Sequence, residues 1–431
     1  MCKNYEFYTL KINLCRILAE ISKLIVPLIK VNVDTEQSFA EEKGIGGRIM
    51  SYNFFVHTDL TFGKDAIEAL PEIIEAEGIK KVLVIYDAGV KAAGIAQKVL
   101  QEMNKVKGLT VSVFDGVEPN PSNGLIEKIY GIAKAEEVQG FVAIGGGSSI
   151  DSAKAVNVLM TNEGPIGQYG GIGLVKENVL PLIAIPTTAG TSSEITNVTA
   201  LTDTEAVCKY VVIDNKITPT HVIADPEFTR TMPKSVTAAT GMDAITHAVE
   251  SYISNMSNPL TKYNSIEGLK IFHKYLQRAV ENGEDMEARE QMMLGCIITG
   301  FGFSNANLGF VHGIAHTLSA HFGLPHGMAN ACVLPYVIAF NAPSCKKEMI
   351  ELAQAIDLPL TGNEDEDILA LSKELLNMTK ALGIKTLSEQ GIKESDFDML
   401  AEDVLKEPVL GFNPRQGITK EDIINILKQA F

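Results

Sequence analysis

The sequence lacks the features of a disulfide-stabilised, membrane-spanning or nucleic-acid-binding protein. Its six cysteines, at positions 2, 15, 208, 296, 332 and 345, form no CxxC pair and no regular framework, so we expect reduced thiols in a cytoplasmic protein. No apolar run approaches the roughly 18 residues of a membrane span. Only 37 basic residues face 53 acidic ones, and the net charge of −16 argues against nucleic acid and anionic membranes as partners.

Length and composition indicate a large globular protein with more than one domain. The 431 residues are 46% hydrophobic and 21% charged, which is typical of a soluble chain with an ample core. The sequence shows no internal repeat and no low-complexity segment. Changes in the residue pattern divide it into residues 1–49, 50–232 and 233–431, and we expect a different role for each part.

Residues 1–49 form an extension whose pattern differs from the rest. Apolar residues recur at helical spacing from Leu14 to Ile25, Pro27 limits this helix, and the polar stretch Glu36–Gly47 is typical of a linker. Charges within the apolar stretch argue against a secretory signal. Two hypotheses remain open. Translation begins near Met50, with a glycine codon pair upstream serving as a ribosome-binding site, or the helix is a docking tag for a compartment shell or partner enzyme.

Between residues 50 and 232, short apolar runs alternate with helical stretches. Such alternation is typical of a parallel sheet that is covered by helices on both faces. The predicted strands are Val82–Tyr86, Leu109–Phe114, Phe141–Ile144 and Leu182–Ile185, and the predicted helices include Asp65–Glu77 and Gly94–Lys105. This part is therefore expected to be an α/β domain.

Two of the strand ends carry residues suited to a dinucleotide. Asp87 follows the first strand, where an acid can bond both ribose hydroxyls of adenosine and repel a 2′-phosphate, so it favours NAD over NADP. The alternative is a loop aspartate that caps the next helix. The third strand runs into Gly145, Gly146, Gly147 and Ser148 and then a helix, an arrangement that lets the backbone approach a pyrophosphate. This is not the GxGxxG fingerprint, so an ordinary strand–turn–helix stays open on the local pattern.

After about Met232 the pattern becomes helical. Long segments have helical periodicity, and clear strand runs with bracketing turns are lacking. The predicted helices include Ser235–Tyr252, Leu260–Asn282, Asp285–Thr299 and Asp365–Leu382. We therefore expect an all-helical second domain, with the active site in the cleft between the two domains.

Histidines are concentrated in one stretch of this helical part. Of the eight in the sequence, four lie within Leu308–Gly327. His312 and His316 share a helix face at i,i+4 spacing, and Asp243 and His247 have the same spacing upstream. Imidazole and carboxylate groups suit Fe, Zn, Mn or Ni, and a hydrogen-bonded core or surface imidazole is the alternative for any one histidine. The predicted metal ligands are Asp243, His247, His312 and His326.

Five motifs make this sequence similar to the iron-containing (group III) alcohol dehydrogenases, over about Ser51 to Phe431. They are GGGSSIDSAK at Gly145–Lys154, PTTAGTSSEIT at Pro186–Thr196, GMDAITHAVESY at Gly241–Tyr252, the histidine stretch at Leu308–Gly327, and NPR at Asn413–Arg415. The resemblance implies a Rossmann-like NAD-binding domain over residues 50–232 and an all-helical metal-binding domain over residues 233–431, an architecture shared with dehydroquinate synthase. It also matches the family's metal ligands, one Asp and three His, to the four residues proposed above.

The resemblance implies further site residues. Besides Asp87 and the glycine motif, the family's cofactor contacts match Asp151, Thr187, Thr188, Thr191 and Lys209. Its substrate-lining positions match Val198 and Phe303, which suit a short, weakly polar substrate.

His316 is not among the family's ligands and is the candidate proton relay between the alcohol and water, with a packing role as the alternative. His321 is expected to be structural. Two departures from the family pattern stand out. Ser192 occupies a position where glycine is common, and Val409–Phe412 replaces an Asp-Ala-Cys-Thr-like run.

The reaction implied is hydride transfer between NAD(H) and a short-chain primary alcohol or diol. A divalent metal beside the nicotinamide would act as a Lewis acid that stabilises the alkoxide or polarises the aldehyde carbonyl. The resemblance points to Fe2+, whereas affinity by itself favours Zn2+. We expect a homo-oligomer, located in a bacterial microcompartment if the docking-tag hypothesis holds.

Three other functions are weighed against this one. A zinc-dependent polyol dehydrogenase of the glycerol type is the main alternative. A dehydroquinate synthase-like lyase would need Lys and Arg to hold a phosphate, and Leu308–Gly327 has neither. A non-catalytic metal-and-nucleotide protein would be expected to have lost a ligand or a cofactor loop, and none is lost.

Overall fold

Nine strands of the described residues form two sheets. The computed structural model describes residues 51–431, of which Tyr52–Phe431 form one compact unit. The strands are β1 (Asp59–Phe62), β2 (Lys81–Asp87), β3 (Thr110–Val117), β4 (Gly140–Gly145), β5 (Gly171–Ile172), β6 (Leu182–Pro186), β7 (Val198–Asp203), β8 (Cys208–Ile213) and β9 (His221–Ala224). Both hypotheses for residues 1–49 lie outside the described residues.

The main sheet is parallel and has the order β1-β9-β6-β4-β2-β3. Its central strands are apolar along their length because both faces are buried. Along β4, Phe141 and Ala143 belong to one buried cluster, and Val142 and Ile144 belong to the cluster on the opposite face. The four predicted strands correspond to β2, β3, β4 and β6, with ends that differ by a few residues.

A smaller sheet with the order β5-β8-β7 was not predicted from the sequence, and neither were the edge strand β1 and the strand β9. In this sheet β7 and β8 form an antiparallel hairpin, while β5 lies parallel to β8. These strands are short, and several of their residues are half-exposed or exposed, so they give little of the continuous apolar signal that marks a buried strand.

Five helices lie among the strands of the first half. They are α1 (Leu70–Ala76), α2 (Ala88–Ala92), α3 (Ile95–Met103), α4 (Asn123–Ala135) and α5 (Gly147–Thr161). The predicted helix Asp65–Glu77 is a 3-10 turn, Ala66–Ala69, followed by α1. Further 3-10 helices are Ile166–Tyr169, Asn215–Ile217, Pro226–Thr229, Ala342–Ser344, Glu394–Asp396 and Pro408–Phe412.

The second half of the chain is helical, and residues 233–431 contain no strand. Its helices are α6 (Lys234–Ile253), α7 (Pro259–Glu281), α8 (Met286–Ala306), α9 (Phe310–Phe322), α10 (His326–Asn341), α11 (Lys346–Ala355), α12 (Glu364–Asp367), α13 (Ala370–Ala381), α14 (Phe397–Val404) and α15 (Lys420–Ala430). One large apolar core joins most of them. The expected fold class, a parallel α/β sheet region followed by a helical region, is confirmed, although the predicted helix Asp365–Leu382 is split into α12 and α13.

Within residues 51–431 no single helix is long and apolar enough to cross a membrane. Helices α8 and α9 meet that length and composition test only as a pair, and they are bent by 100° relative to each other.

Candidate metal centre and active site

Three helices bring the predicted metal ligands together from distant parts of the sequence. Helix α6 presents Asp243 and His247 one turn apart, α9 presents His312, and His326 is the first residue of α10. Asp243 is 1%, His247 is 4% and His312 is 2% exposed. Because α10 packs against both α6 and α9, these side chains lie in one polar centre, which is buried except at His326, whose side chain is 27% exposed.

The nitrogen atoms of three histidines face one carboxylate oxygen. Asp243 Oδ1 lies 3.7 Å from His247 Nε2, 3.9 Å from His312 Nε2 and 3.9 Å from His326 Nε2. One carboxylate oxygen and imidazole nitrogens are a donor set that suits a divalent transition-metal ion. Ligand atoms of Asp243, His247 and His312 all lie within 4.8 Å of one another. The fourth predicted ligand, His326, lies outside this mutually close group, although its Nε2 is 3.9 Å from Asp243 Oδ1.

The charges at this centre fit a divalent cation. Desolvation holds the pKa values of His312 and His326 well below the ordinary value, and Asp243 opposes this only in part at His312, so both imidazoles are neutral, as metal binding would require. In the part of the chain that the structure describes, no Lys or Arg lies within 4.0 Å of the buried Asp243 carboxylate. A buried carboxylate among neutral imidazoles requires a compensating positive charge, which a metal ion provides.

Asn330 shows that three of the predicted ligand atoms point to a common position. Its Nδ2 lies 2.6 Å from Asp243 Oδ1 and 3.3 Å from Nε2 of both His312 and His326. Asn330 is fully buried, and its Oδ1 has no hydrogen-bond partner among the described residues. The amide N–H group thus contacts the same acceptor atoms that a cation would contact.

Two further groups border the centre. The ring of Phe303, at the end of α8, stacks on His247 with a centroid distance of 4.4 Å, so an apolar wall lies directly beside a predicted ligand. On the other side of His312, the Glu250 carboxylate lies 2.6 Å from Nδ1. Burial raises the pKa of Glu250 to about 7, although three N–H donors favour its ionised form.

His316 lies beside the centre, as its spacing predicted. Its ring centroid is 6.0 Å from that of His312 and 5.5 Å from that of His326. Its Nδ1 lies 3.0 Å from Glu407 Oε2. His321 Nε2 pairs with Asp403 Oδ2 at 2.8 Å, and its structural role stays a prediction.

The glycine motif lies where β4 meets α5. Gly146 is the N-cap of α5 and offers no capping side chain, so the first N–H groups of the helix are available to an anion. A Cβ atom at Gly146 or Gly147 would lie 3.0 Å from the side chain of Thr188 or Thr191, respectively. Thr187 N donates to Gly145 O at 3.0 Å. Residues 187–194 (the threonine loop) therefore pack directly against residues 145–147 (the glycine loop), where a side chain on any residue other than glycine would cover the backbone.

Asp87 ends β2 next to this motif and performs the capping role that was considered as the alternative. Its Oδ1 accepts from Gly89 N at 2.7 Å and from Val90 N at 3.0 Å. Its Oδ2 points to the glycine loop, 3.5 Å from Ser149 Oγ and 3.4 Å from the position of a Cβ atom on Gly145. One oxygen thus caps α2, while the other lies beside the glycine loop.

The structure places Asp151 and Lys209 in supporting positions. Asp151 accepts from Ser193 Oγ at 2.5 Å and from Ala200 N at 3.1 Å, so it joins α5 to the threonine loop and β7. Lys209, on β8, donates to Asn120 Oδ1 at 2.7 Å. Burial lowers the pKa of Lys209 to about 8, against the attraction of Asp151 and Asp243.

Val198 begins β7, and its carbonyl accepts from Lys154 Nζ at 2.7 Å. Among residues 51–431, no hydrogen bond joins Val198 to the histidines. The assigned roles of all these site residues stay predictions.

Sequence reasoning missed three residues that contact the predicted site. Asn330 and Glu250 carried a usable signal, since Asn330 follows His326 by four residues and Glu250 follows His247 by three on the same helix. Glu407 lies far from His316 in sequence and gave no local signal.

Comparison with known proteins decides the family. The iron-containing alcohol dehydrogenase model matches residues 57–226, and the model of the family's C-terminal part matches residues 237–431. The chain belongs to the iron-containing alcohol dehydrogenase family. As its motifs predicted, it is an alcohol dehydrogenase by family, and the lyase and polyol dehydrogenase alternatives are not favoured.

Several known proteins are similar to this chain over nearly their full length. Alcohol dehydrogenase 4 of Saccharomyces cerevisiae (strain YJM789) is 37% identical over 380 residues, which cover 88% of this chain and 98% of that protein. The NAD-dependent methanol dehydrogenase of Bacillus methanolicus is 35% identical over 384 residues, which cover 88% and 99%. A crystal structure of 1,3-propanediol oxidoreductase has a TM-score of 0.85 and 35% identity, and the match covers 89% of this chain and 100% of that one.

Proposed function

We propose that this iron-containing alcohol dehydrogenase uses NAD and a divalent metal, Fe2+ by its family, to interconvert short-chain primary alcohols or diols and aldehydes. The observation that carries the proposal is the convergence of three imidazole Nε2 atoms on Asp243 Oδ1 at 3.7–3.9 Å. The names of the relatives support NAD, methanol and 1,3-propanediol as the classes of cofactor and substrate.

The residues around the centre bind the substrate and handle its proton. A bound metal supplies Lewis acidity to the alcohol or carbonyl oxygen. The Phe303 ring beside His247 keeps water away from one side and suits a short alkyl group. His316 directs Nδ1 to Glu407, which leaves Nε2 to accept the alcohol proton and pass it to water. Val198 is proposed as a second apolar substrate position.

The cofactor would bind along the carboxyl ends of the parallel strands. The N–H groups at the start of α5 would bind the pyrophosphate, and the glycines at 145–147 would allow its close approach. Asp87 Oδ2 would bond the adenosine ribose. The threonine loop and Lys209 would continue the cofactor site toward the metal centre. Both Asp151 and Asp243 attract the Lys209 charge.

Metal analysis and kinetics of matched histidine variants test the proposal. The purified protein should contain one divalent metal per chain and should oxidise short alcohols with NAD. His312→Ala should lose bound metal and nearly all activity while its circular dichroism persists, because a ligand is removed from a folded site. The control is His321→Ala, since His321 comes from the same stretch but pairs with Asp403 outside the centre.

The control variant should keep both metal and activity. Full activity in a metal-free His312→Ala enzyme would refute the site. Metal analysis, together with a panel of alcohols and polyols, also distinguishes Fe2+ from Zn2+ and alcohols from polyols as substrates.

A further inference from the structure

The helix that carries His312 and His316 begins without a cap of its own. The residue before α9 is Gly309, which has no capping side chain. Side chains from elsewhere in the chain accept hydrogen bonds from the first N–H groups of α9. The Glu250 carboxylate accepts from Gly309 N at 3.1 Å and from Val311 N at 2.7 Å. Asn413 Oδ1, from the NPR motif, accepts from Phe310 N at 3.4 Å.

The same carboxylate also contacts a predicted metal ligand. Glu250 Oε2 lies 2.6 Å from His312 Nδ1, in a position where Glu250 is 2% exposed. Both carboxylate oxygens already accept backbone N–H groups, Oε2 from Gly309 and Oε1 from Val311, so Glu250 is the acceptor toward His312 and places the imidazole proton on Nδ1. Nε2 then carries the lone pair, and Nε2 is the atom that faces Asp243 at 3.9 Å.

The chain leaves space for this arrangement. A Cβ atom at Gly309 would lie 3.1 Å from Asn413 Oδ1 and 3.2 Å from Glu250 Oε1, so glycine permits the carboxylate to reach the helix start. Glu250 follows His247 by one turn of α6. One helix therefore provides two predicted ligands and also holds the third.

We propose that Glu250 is a positioning residue, which fixes the tautomer and ring orientation of His312 for metal binding and joins the start of α9 to α6. This inference rests on the proposed metal site. Carboxylates that accept from the second nitrogen of a ligating histidine act in this way and contribute tenfold to a hundredfold to metal affinity.

The variant Glu250→Gln tests this role with little change in volume. Its amide oxygen can accept either from His312 and Gly309, in which case the NH2 group faces Val311 N, or from Val311, in which case the NH2 group faces both His312 Nδ1 and Gly309 N. If the oxygen turns to Val311, the NH2 group donates to His312 Nδ1 and moves the imidazole proton to Nε2, where it blocks metal binding. If the oxygen turns to His312, the NH2 group opposes Val311 N and displaces the helix start.

Asn413→Ala is the matched control. It removes an acceptor from the same helix end, together with the Asn413 hydrogen bonds to Asn341 and Arg415, and no hydrogen bond among residues 51–431 joins Asn413 to His312. A purely structural effect, in which any weakening of the start of α9 disturbs the site, would act equally in the two variants.

The experiment measures Zn2+ affinity by competition with a chelator and the His312 tautomer by 15N NMR of the metal-free protein, with His312→Ala to assign the signal. Wild type should show the proton on Nδ1. Glu250→Gln should lose the wild-type nitrogen shifts and bind Zn2+ tenfold to a hundredfold more weakly. Asn413→Ala should lower Tm yet keep the tautomer and stay within about threefold of wild-type affinity.

Unchanged affinity in Glu250→Gln, or equal losses in both variants, would overturn the inference. A wild-type His312 with its proton on Nε2 would do the same. If the wild-type protein bound no metal at all, the proposed function would fail, and the tautomer measurement would still decide whether Glu250 sets the imidazole proton.

Discussion

Replacement of Asp87 separates its charge from its capping role in setting cofactor preference. Asp87 Oδ1 caps α2 through Gly89 N and Val90 N, while Oδ2 points to the glycine loop. Asparagine caps a helix about as well as aspartate, so Asp87→Asn removes the charge and keeps the cap. Asp87→Gly removes the charge and the side-chain cap, at a cost of only a few tenths of a kcal/mol in stability.

The magnitude follows from the charge that NADP adds. If Oδ2 bonds the adenosine ribose, a 2′-phosphate would lie roughly 5 Å from it. At an effective dielectric constant of about 20, two unit charges at that distance repel each other by about 3 kcal/mol. Screening at this half-exposed position reduces the repulsion to about 2–3 kcal/mol, which corresponds to on the order of a hundredfold in relative affinity.

Steady-state kinetics with one alcohol and both cofactors checks this value. Wild type should prefer NAD, and both variants should shift the NADP-to-NAD ratio of kcat/KM by on the order of a hundredfold. Asp87→Asn should keep the wild-type Tm, and the preference of wild type should weaken at high salt. The reasoning would be refuted if wild type used NADP as well as NAD, or if Asp87→Asn left the ratio unchanged.

Three further predictions concern the relay, the threonine loop and the extension. His316→Ala should keep its metal and Tm but have a kcat about 10²-fold lower than wild type, and this kcat should recover partly at high pH. A normal kcat with full metal content would end the relay hypothesis. Ser192 has φ 51° and donates to Cys296 O at 2.7 Å. The free energy of unfolding of Ser192→Ala, measured by chemical denaturation, should therefore be about 1 kcal/mol lower than that of wild type. The value for Ser192→Gly should lie between the two because glycine relieves the backbone strain, and the reverse order of the two variants would contradict this account. A chain that starts at Met50 should fold, bind metal and oxidise alcohols like the full chain, and an insoluble or inactive product would exclude both hypotheses for residues 1–49.

Local patterns in the sequence predicted the parts of the protein that depend on near neighbours. The i,i+4 spacing of Asp243 and His247 predicted a shared helix face, and in the structure both lie on α6. The apolar run before Gly145 predicted β4 and the turn into α5. Where the apolar signal was weak, as in the hairpin of β7 and β8, the prediction missed the strands.

The tertiary structure decided the contacts that support these residues. Glu250 reaches the start of α9 and His312, Glu407 reaches His316, and Asn330 reaches Asp243, across separations of 59 to 91 residues. Residues 409–412, which depart from the family pattern, likewise have a contact that only the fold revealed. Leu410 packs against Gly313 of α9, where a Cβ atom would lie 3.2 Å from Leu410 Cδ2. Helical and strand periodicity act over a few residues, whereas the partner of a buried polar group is set by which helices pack together. The sequence by itself therefore determined which residues are predicted as ligands. The packing of α6, α9 and α10 determined which side chains contact and orient them.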